Sequence, residues 1–183
     1  MKKTIRIVFY CILVTVISII IAGIYRFNFT DAGDILMKND PKNIAYIIDS
    51  ELFVLKEGKA SKEITPESAT KNTLSLFGEP VYGIFGEKGV PGAAVLLVNN
   101  NGGSGTFYYA VLAIASGTSY ISTNAIFLGD RIAPQTILLQ QGVTIYNYAD
   151  RNEGESMVVN SSIGKSAYIY YNEQTNTIKD SFK

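Results

Sequence analysis

The amino-acid sequence predicts a mostly β protein: an antiparallel β-sandwich or barrel-like domain that follows one N-terminal transmembrane helix. Three observations predict it. An uncharged apolar run of 19 residues, Ile7 to Tyr25, stands near the start. Beyond residue 43 the chain divides into short β-branched and aromatic runs at spacings of about 8 to 12 residues, with turn residues in the gaps. Outside the first run, no long segment carries the period of an amphipathic helix.

The apolar run is flanked by Lys2, Lys3 and Arg6 on one side and Arg26 on the other. Roughly 20 apolar residues cross a bilayer as a helix, because backbone groups in hydrocarbon must bond within their own segment. A cleaved signal peptide is the rival reading. Ala22 and Gly23, set among isoleucines, make a poor small-residue cleavage site. Residues 1–26 therefore read as an uncleaved signal anchor. The three basic residues before the span keep the N-terminus in the cytoplasm and put the rest outside the membrane, or in the medium if the segment is cleaved. Cys11 follows Val8, Phe9 and Tyr10 rather than the small residues that lipidation requires, so it reads as an apolar residue of the span.

Residues 27–43, punctuated by Asp31, Asp34, Asn39, Asp40 and Pro41, read as a juxtamembrane stalk. The β domain is expected over 44–183. Its predicted strands are Ile44 to Ile48, Leu52 to Lys56, Leu74 to Phe85, Ala93 to Val98, Thr106 to Ile114 and Tyr120 to Leu128. Thr136 to Leu139, Val143 to Tyr148, Met157 to Asn160, Ser166 to Tyr171 and Thr177 to Asp180 complete the set. Hairpin turns are expected at Asp49-Ser50, Glu57-Gly58-Lys59, Ser116-Gly117 and Gln141-Gly142. Residues 60–73, polar and containing Pro66, read as a loop or a short helix capped near Thr65.

Composition narrows the chemistry. The 183 residues include no histidine, which removes the commonest general base, the commonest transition-metal ligand, and the Ser/His and Cys/His nucleophile pairs. Net charge is zero, but four of the 16 basic residues and none of the 16 acidic ones lie in the first 26 positions. The remainder holds 12 basic against 16 acidic side chains, a net of −4. Such a domain has no electrostatic footprint for nucleic acid and no basic patch for anionic lipid.

Two constellations stand out. Asn99-Asn100-Asn101 leads into Gly102, Gly103, Ser104, Gly105 and Thr106. No lysine follows the glycines and no helix pattern opens after them, so this is no phosphate cradle. It reads as a long hairpin loop with several positive-φ glycines, or as a loop that receives a partner's backbone or a sugar hydroxyl. The second constellation is Asp130, Arg131, Asp150, Arg151, Glu153 and Glu155, where Asp-Arg twice follows a strand at an interval of 20 residues. Carboxylate pairs can hydrolyse glycosidic bonds. An adjacent arginine instead keeps an aspartate ionised, which favours ion pairs that pin loop ends. Ser104 or Ser162 with Lys165 is the one nucleophilic dyad left without histidine. Neither a metal nor a cofactor is implied.

The strings Gly102-Gly103-Ser104-Gly105-Thr106-Phe107-Tyr108-Tyr109, Phe127-Leu128-Gly129-Asp130-Arg131-Ile132-Ala133-Pro134-Gln135 and Asn147-Tyr148-Ala149-Asp150-Arg151 occur in that order, followed by Gly154-Glu155 and Met157. Over about residues 45 to 172 the chain resembles a group of uncharacterised bacterial exported proteins and lipoproteins. Some members also carry domains similar to lysozyme inhibitors or META-type stress domains. The resemblance implies an envelope location and carries no activity with it. Many members have an acidic, calcium-loop-like stretch after a Phe-Gly. Here Phe77-Gly78 is followed by Gly83 to Gly92, with Glu87 as its only acid, so a cation site there is not expected.

The expectation is a membrane-anchored extracytoplasmic domain that binds an envelope protein or glycan. Its expected face is the Gly102 to Thr106 loop with the Asp130/Arg131 and Asp150/Arg151 edge. A lysozyme-inhibitor-like defence protein and a cell-wall glycan hydrolase using Glu153 or Glu155 are the alternatives.

Overall fold

The computed structural model describes residues 15–18, 40–67 and 69–181. The predicted membrane span over 7–25 and the stalk over 27–43 lie outside the described residues, except for one helical turn at residues 15–18 and the short stretch 40–43. Among the described residues no helix is long and apolar enough to cross a membrane.

The unit Asn39–Lys183 is antiparallel β, as the sequence predicts. A 3-10 turn, Pro41–Asn43, is capped by Asp40, whose carboxylate accepts from the Lys42 N–H. Thirteen strands follow among the described residues: β1 Ala45–Ile48, β2 Glu51–Val54, β3 Lys59–Glu63, β4 Lys71–Leu76, β5 Val81–Phe85, β6 Val90–Asn100, β7 Phe107–Ser116, β8 Ser119–Ser122, β9 Ile126–Asp130, β10 Ala133–Gln140, β11 Val143–Asp150, β12 Ile163–Asn172 and β13 Thr177–Asp180.

They form three sheets. The central one is built on the long hairpin β6–β7. β4 and β5 share the outer edge of β6, and β8 and β9 share the outer edge of β7, while β3 adds to β4. β1 and β2 pair with each other, and β10 to β13 form a four-stranded meander. Side chains alternate faces along a strand, so a strand buried on one face alternates apolar and polar, and one buried on both does not. Residues 92–98 of β6 and 109–114 of β7 are buried throughout, which places them in the second class.

One face of the hairpin packs Ala94, Leu96, Ala110, Leu112 and Ile114 against Tyr146, Tyr148, Ala167, Ile169 and Ile178 of the meander. The other packs Val95, Leu97, Tyr109, Val111 and Ala113 against Tyr46, Ile48, Phe53 and Leu55 of β1 and β2. The hairpin is thus the shared wall of two cores. Two tyrosines fasten the layers to it. The buried Tyr146 Oη lies 3.0 Å from both the Val95 and Val111 carbonyls, and burial pushes its pKa up. Tyr109 donates to Asp49 in the β1–β2 turn at 2.6 Å.

Several expectations need correction. The loop expected over 60–73 is shorter than predicted: Lys59–Glu63 is a polar edge strand in register with β4, with only part of one face covered, and the connection between the two strands is confined to residues 64–70. The single run predicted over Leu74 to Phe85 is two strands, interrupted at Phe77–Pro80, where Gly78 takes φ +72°. The run Tyr120 to Leu128 likewise divides around Thr123–Ala125; Thr123 turns its hydroxyl inward to accept the Leu112 N–H. Met157–Asn160 forms no strand. It has no partner strand, Val158 is 91% exposed, and the segment belongs to the connection from β11 to β12. The turns at Asp49-Ser50 and Gln141-Gly142 are tight two-residue hairpins with positive φ at both positions, the geometry that matches strand twist.

Two core hydroxyls predict opposite responses. Thr144 is fully buried and its Oγ1 has no hydrogen-bond partner among the described residues. Thr144→Val should raise stability by about 1 kcal/mol, because it removes a desolvated, unmet hydroxyl. Tyr146→Phe should lower it by about 1 kcal/mol with packing retained. Urea denaturation of the full chain measures both.

Candidate functional site

The two Asp-Arg pairs come together at one end of the sheets. Asp130 ends β9 and Asp150 ends β11, and Arg131 sits in the β9–β10 turn with φ +49°. The Asp130 Oδ1 accepts the Thr106 N–H at 2.7 Å, and the Arg131 N–H returns to the Thr106 carbonyl at 2.7 Å. The Arg131 guanidinium pairs with its own neighbour, Asp130, at 3.1 Å. Arg151 reaches back across the turn to the Arg131 carbonyl at 3.0 Å, and its Nε donates to the Val159 carbonyl. Asp150 accepts its own neighbour's N–H at 2.8 Å and the Lys165 ammonium at 2.7 Å. The result is a clasp that ties the β6–β7 loop, the β9–β10 turn, the end of β11 and the 151–162 connection.

Its charges are fixed by these contacts. Burial pushes the Asp130 carboxyl up, but hydrogen bonds from Arg131 and the Thr106 amide, with the charges of Arg131 and Arg151, outweigh it and leave the pKa below the ordinary value. At Asp150 burial again pushes up, and Lys165 and the Arg151 amide bring the net shift down. The hydrogen bond to Asp150 raises Lys165 despite its partial burial. Lys165 is therefore held protonated in an ion pair, which does not suit a general base for Ser104 or Ser162.

Among the described residues, the hydrogen bonds that join the glycine loop to this clasp are those of Thr106. Residues Gly102 to Ser104 are exposed, and the loop is tied to itself: Thr106 Oγ1 donates to Asn100 and the Gly103 N–H to Asn101. Gly102 is the only one of its three glycines at positive φ, +84°. Glu155 accepts the Asn152 N–H at 3.0 Å within its own turn. Among the described residues no group of three or more acid, histidine or cysteine side chains is placed to hold a metal ion.

A feature that sequence reasoning missed lies beside the clasp. A cleft of about 190 Å³ opens between the central sheet and the meander, lined by residues that include Leu96, Leu128, Ile132 and Tyr146 and rimmed by Glu79, Gln135 and Asn147. Three departures from regular strand pairing converge on it. In β9 the register with β7 slips so that Leu128 is the unpaired extra residue, and Leu128 lines the cleft. In β10 the register with β11 slips at Gln135, which stands on the rim. The third is the break between β4 and β5, which contributes Phe77, Gly78 and Glu79 to the wall. A β-bulge re-aims the side chain it leaves unpaired, so these irregularities build the site.

The clasp shapes the same cleft. The turn that Arg131 and Arg151 hold carries Ile132 and Pro134 into the wall, and Tyr148 stands two residues before Asp150. Gly129 permits the turn to fold back, since a Cβ there would lie 2.5 Å from the Ile132 methyl. The motif strings 127–135 and 147–151 thus supply both the charged clasp and much of the apolar lining. The signals for the cleft were Pro134, two residues before the predicted strand Thr136 to Leu139, and Gly78-Glu79-Pro80 inside the predicted run Leu74 to Phe85, positions where proline interrupts a ladder.

No protein-family model, curated protein or solved structure matches this chain.

The clasp predicts an acid limb. The lowered aspartate values mean that its contribution is complete above the unfolded carboxylate pKa of about 3.9 and is lost as pH falls through the folded values. The raised Lys165 value preserves the other half until pH rises through it, above about 10.4. Asp130→Asn/Asp150→Asn should cost on the order of 1–3 kcal/mol at pH 7 and flatten the stability profile between pH 4 and 2. Denaturation midpoints of both proteins across that range provide the check.

Proposed function

We propose that the chain is a membrane-anchored extracytoplasmic domain that acts by binding, with the cleft between its two larger sheets as the binding site. The observation that carries this reading is the convergence of the Leu128 bulge, the Gln135 bulge and the β4–β5 break on one apolar cleft with a polar rim. Sheets gain stability from unbroken pairing, and concave apolar sites with a few polar groups are the usual form of small-ligand sites. The charged edge supports the reading indirectly. Its carboxylates are engaged by Arg131, Lys165 and backbone amides, so it serves better to hold the cleft wall than to perform acid-base chemistry. The resemblance to exported envelope proteins rests on strings that supply six cleft-lining residues: Leu128, Ile132, Pro134, Gln135, Asn147 and Tyr148. Anchoring and topology rest on the uncharged run from Ile7 to Tyr25 and its basic flank.

Two measurements test the proposal. A C-terminal alkaline phosphatase fusion, active only outside the cytoplasm, should be active and remain in the membrane fraction after alkaline extraction. Activity found only in the medium would replace anchoring by secretion, and an inactive membrane-bound fusion would overturn the topology. In methyl NMR of the full chain in nanodiscs, low-molecular-weight envelope extract should shift the signals of Leu96, Leu128 and Ile132, and Ile132→Trp should abolish the effect by filling the cleft. Unchanged methyl signals would remove the cleft as the binding site.

A further inference from the structure

Resting on the reading of the cleft as a binding site, we infer that its ligand is a small, electrically neutral molecule: an apolar body of about one substituted six-membered ring carrying a single hydrogen-bonding group that meets Gln135. The size follows from the space. A dry cavity of about 150 Å³ lined by aliphatic and aromatic side chains takes up benzene, and this cleft is about 190 Å³.

The neutrality follows from how the polar groups around it are committed. At the floor, the hydroxyl of Tyr146 lies between the Val95 and Val111 carbonyls and offers nothing to a ligand. On the rim, the amide of Asn147 donates to Thr136 at 2.9 Å and accepts from Ser166 at 2.6 Å. Glu79 is neutralised by Lys42 at 2.6 Å, so the rim presents an ion pair of zero net charge rather than a counter-ion. A charged ligand buried here would be left without a partner, which is expensive. Two polar side chains of the lining make no hydrogen bond among the described residues: Tyr148, mostly buried in the wall, and Gln135. Gln135 is exposed at a bulge, so both ends of its amide are available. An amide that donates and accepts suits a hydroxyl or a carbonyl equally, and it sits on the rim above a mostly apolar wall.

The test uses the full chain in nanodiscs, with titrations followed by methyl NMR at Leu96, Leu128 and Ile132. The probes are p-cresol, toluene, the cation tyramine and the anion 4-hydroxyphenylacetate. Saturable shifts are expected with p-cresol and toluene, with both charged analogues at least about tenfold weaker. Gln135→Ala, at an exposed position outside the core, should weaken p-cresol about three- to tenfold and leave toluene unchanged, because only p-cresol has the hydroxyl that the amide meets. Comparable affinity for the charged analogues, or a Gln135→Ala variant that binds p-cresol as the parent does, would overturn the inference while the cleft remained a binding site. If all four probes, toluene included, leave these methyl signals unmoved at millimolar concentration, the inference and the reading beneath it both fall.

Discussion

The hairpin β6–β7 is buried on both faces, and the rest of the architecture follows from that constraint. A strand pair that must be apolar on both sides cannot sit at the surface of a two-layer sandwich, so it requires a covering layer on each side. The four-stranded meander supplies one, and β1 with β2, together with Leu74, supplies the other. Small residues make the arrangement feasible. Ala94 and Ala110 face the meander and are fully buried, and Tyr146 reaches the Val95 and Val111 carbonyls on that side. Larger side chains at these alanines would press the layers apart and carry the tyrosine away from those carbonyls. Core packing and the tyrosine hydrogen bond are therefore one device.

The long hairpin also explains why its flanks are fragmented. β6 has eleven residues and β7 ten, whereas the strands paired to their outer edges have four to six. Each edge is covered by two short strands end to end, and each junction leaves backbone groups that need other partners. The Phe77 N–H meets the Leu96 carbonyl at one junction, and Thr123 meets Leu112 through both backbone and hydroxyl at the other. These substitutions satisfy the buried backbone without continuing the ladder. The cleft stands against the first junction, where β4 stops and β5 has not begun.

Much of this was legible in the sequence, and the part that was not has a physical reason. The β class, most strands and the two-residue turns follow from local chemistry: β-branched residues, glycine and aspartate among the positions where φ is positive, and alternation along β11. The continuous run Ala93–Val98 signals burial on both faces, yet the layer that covers each face is set by pairing far along the chain. β3 was hidden because its apolar content is Ala60 alone, and an edge strand needs little more. Met157–Asn160 misled in the opposite direction. Its apolar residues resemble a strand, but nothing lies beside them to pair with. Of the site, the sequence set each Asp-Arg pair just after a strand; the structure joins the two pairs through Arg151 and the Arg131 carbonyl, although β9 and β11 belong to different sheets rather than lying side by side. The cleft depends on which residue of a strand is skipped in pairing, and composition holds no record of a register slip at Leu128 or Gln135.

The clasp and the cleft are best understood as one construction. Asp130 pairs with Arg131 and Asp150 with Lys165, while the Arg151 guanidinium is held by the Arg131 and Val159 carbonyls, so each group of the cluster is engaged by a neighbour. Ion pairs of this exposure contribute little stability individually. Their value lies in geometry: Arg131 is held at positive φ, its carbonyl receives Arg151 and Ser161, and the turn is thereby fixed with Ile132 folded over Gly129. A wall residue presented on a turn needs such restraint, because a β9–β10 connection free to rock would open and close the cleft continuously. Charge therefore acts here through position. The residues most conspicuous in the sequence hold in place the apolar surface that the sequence conceals.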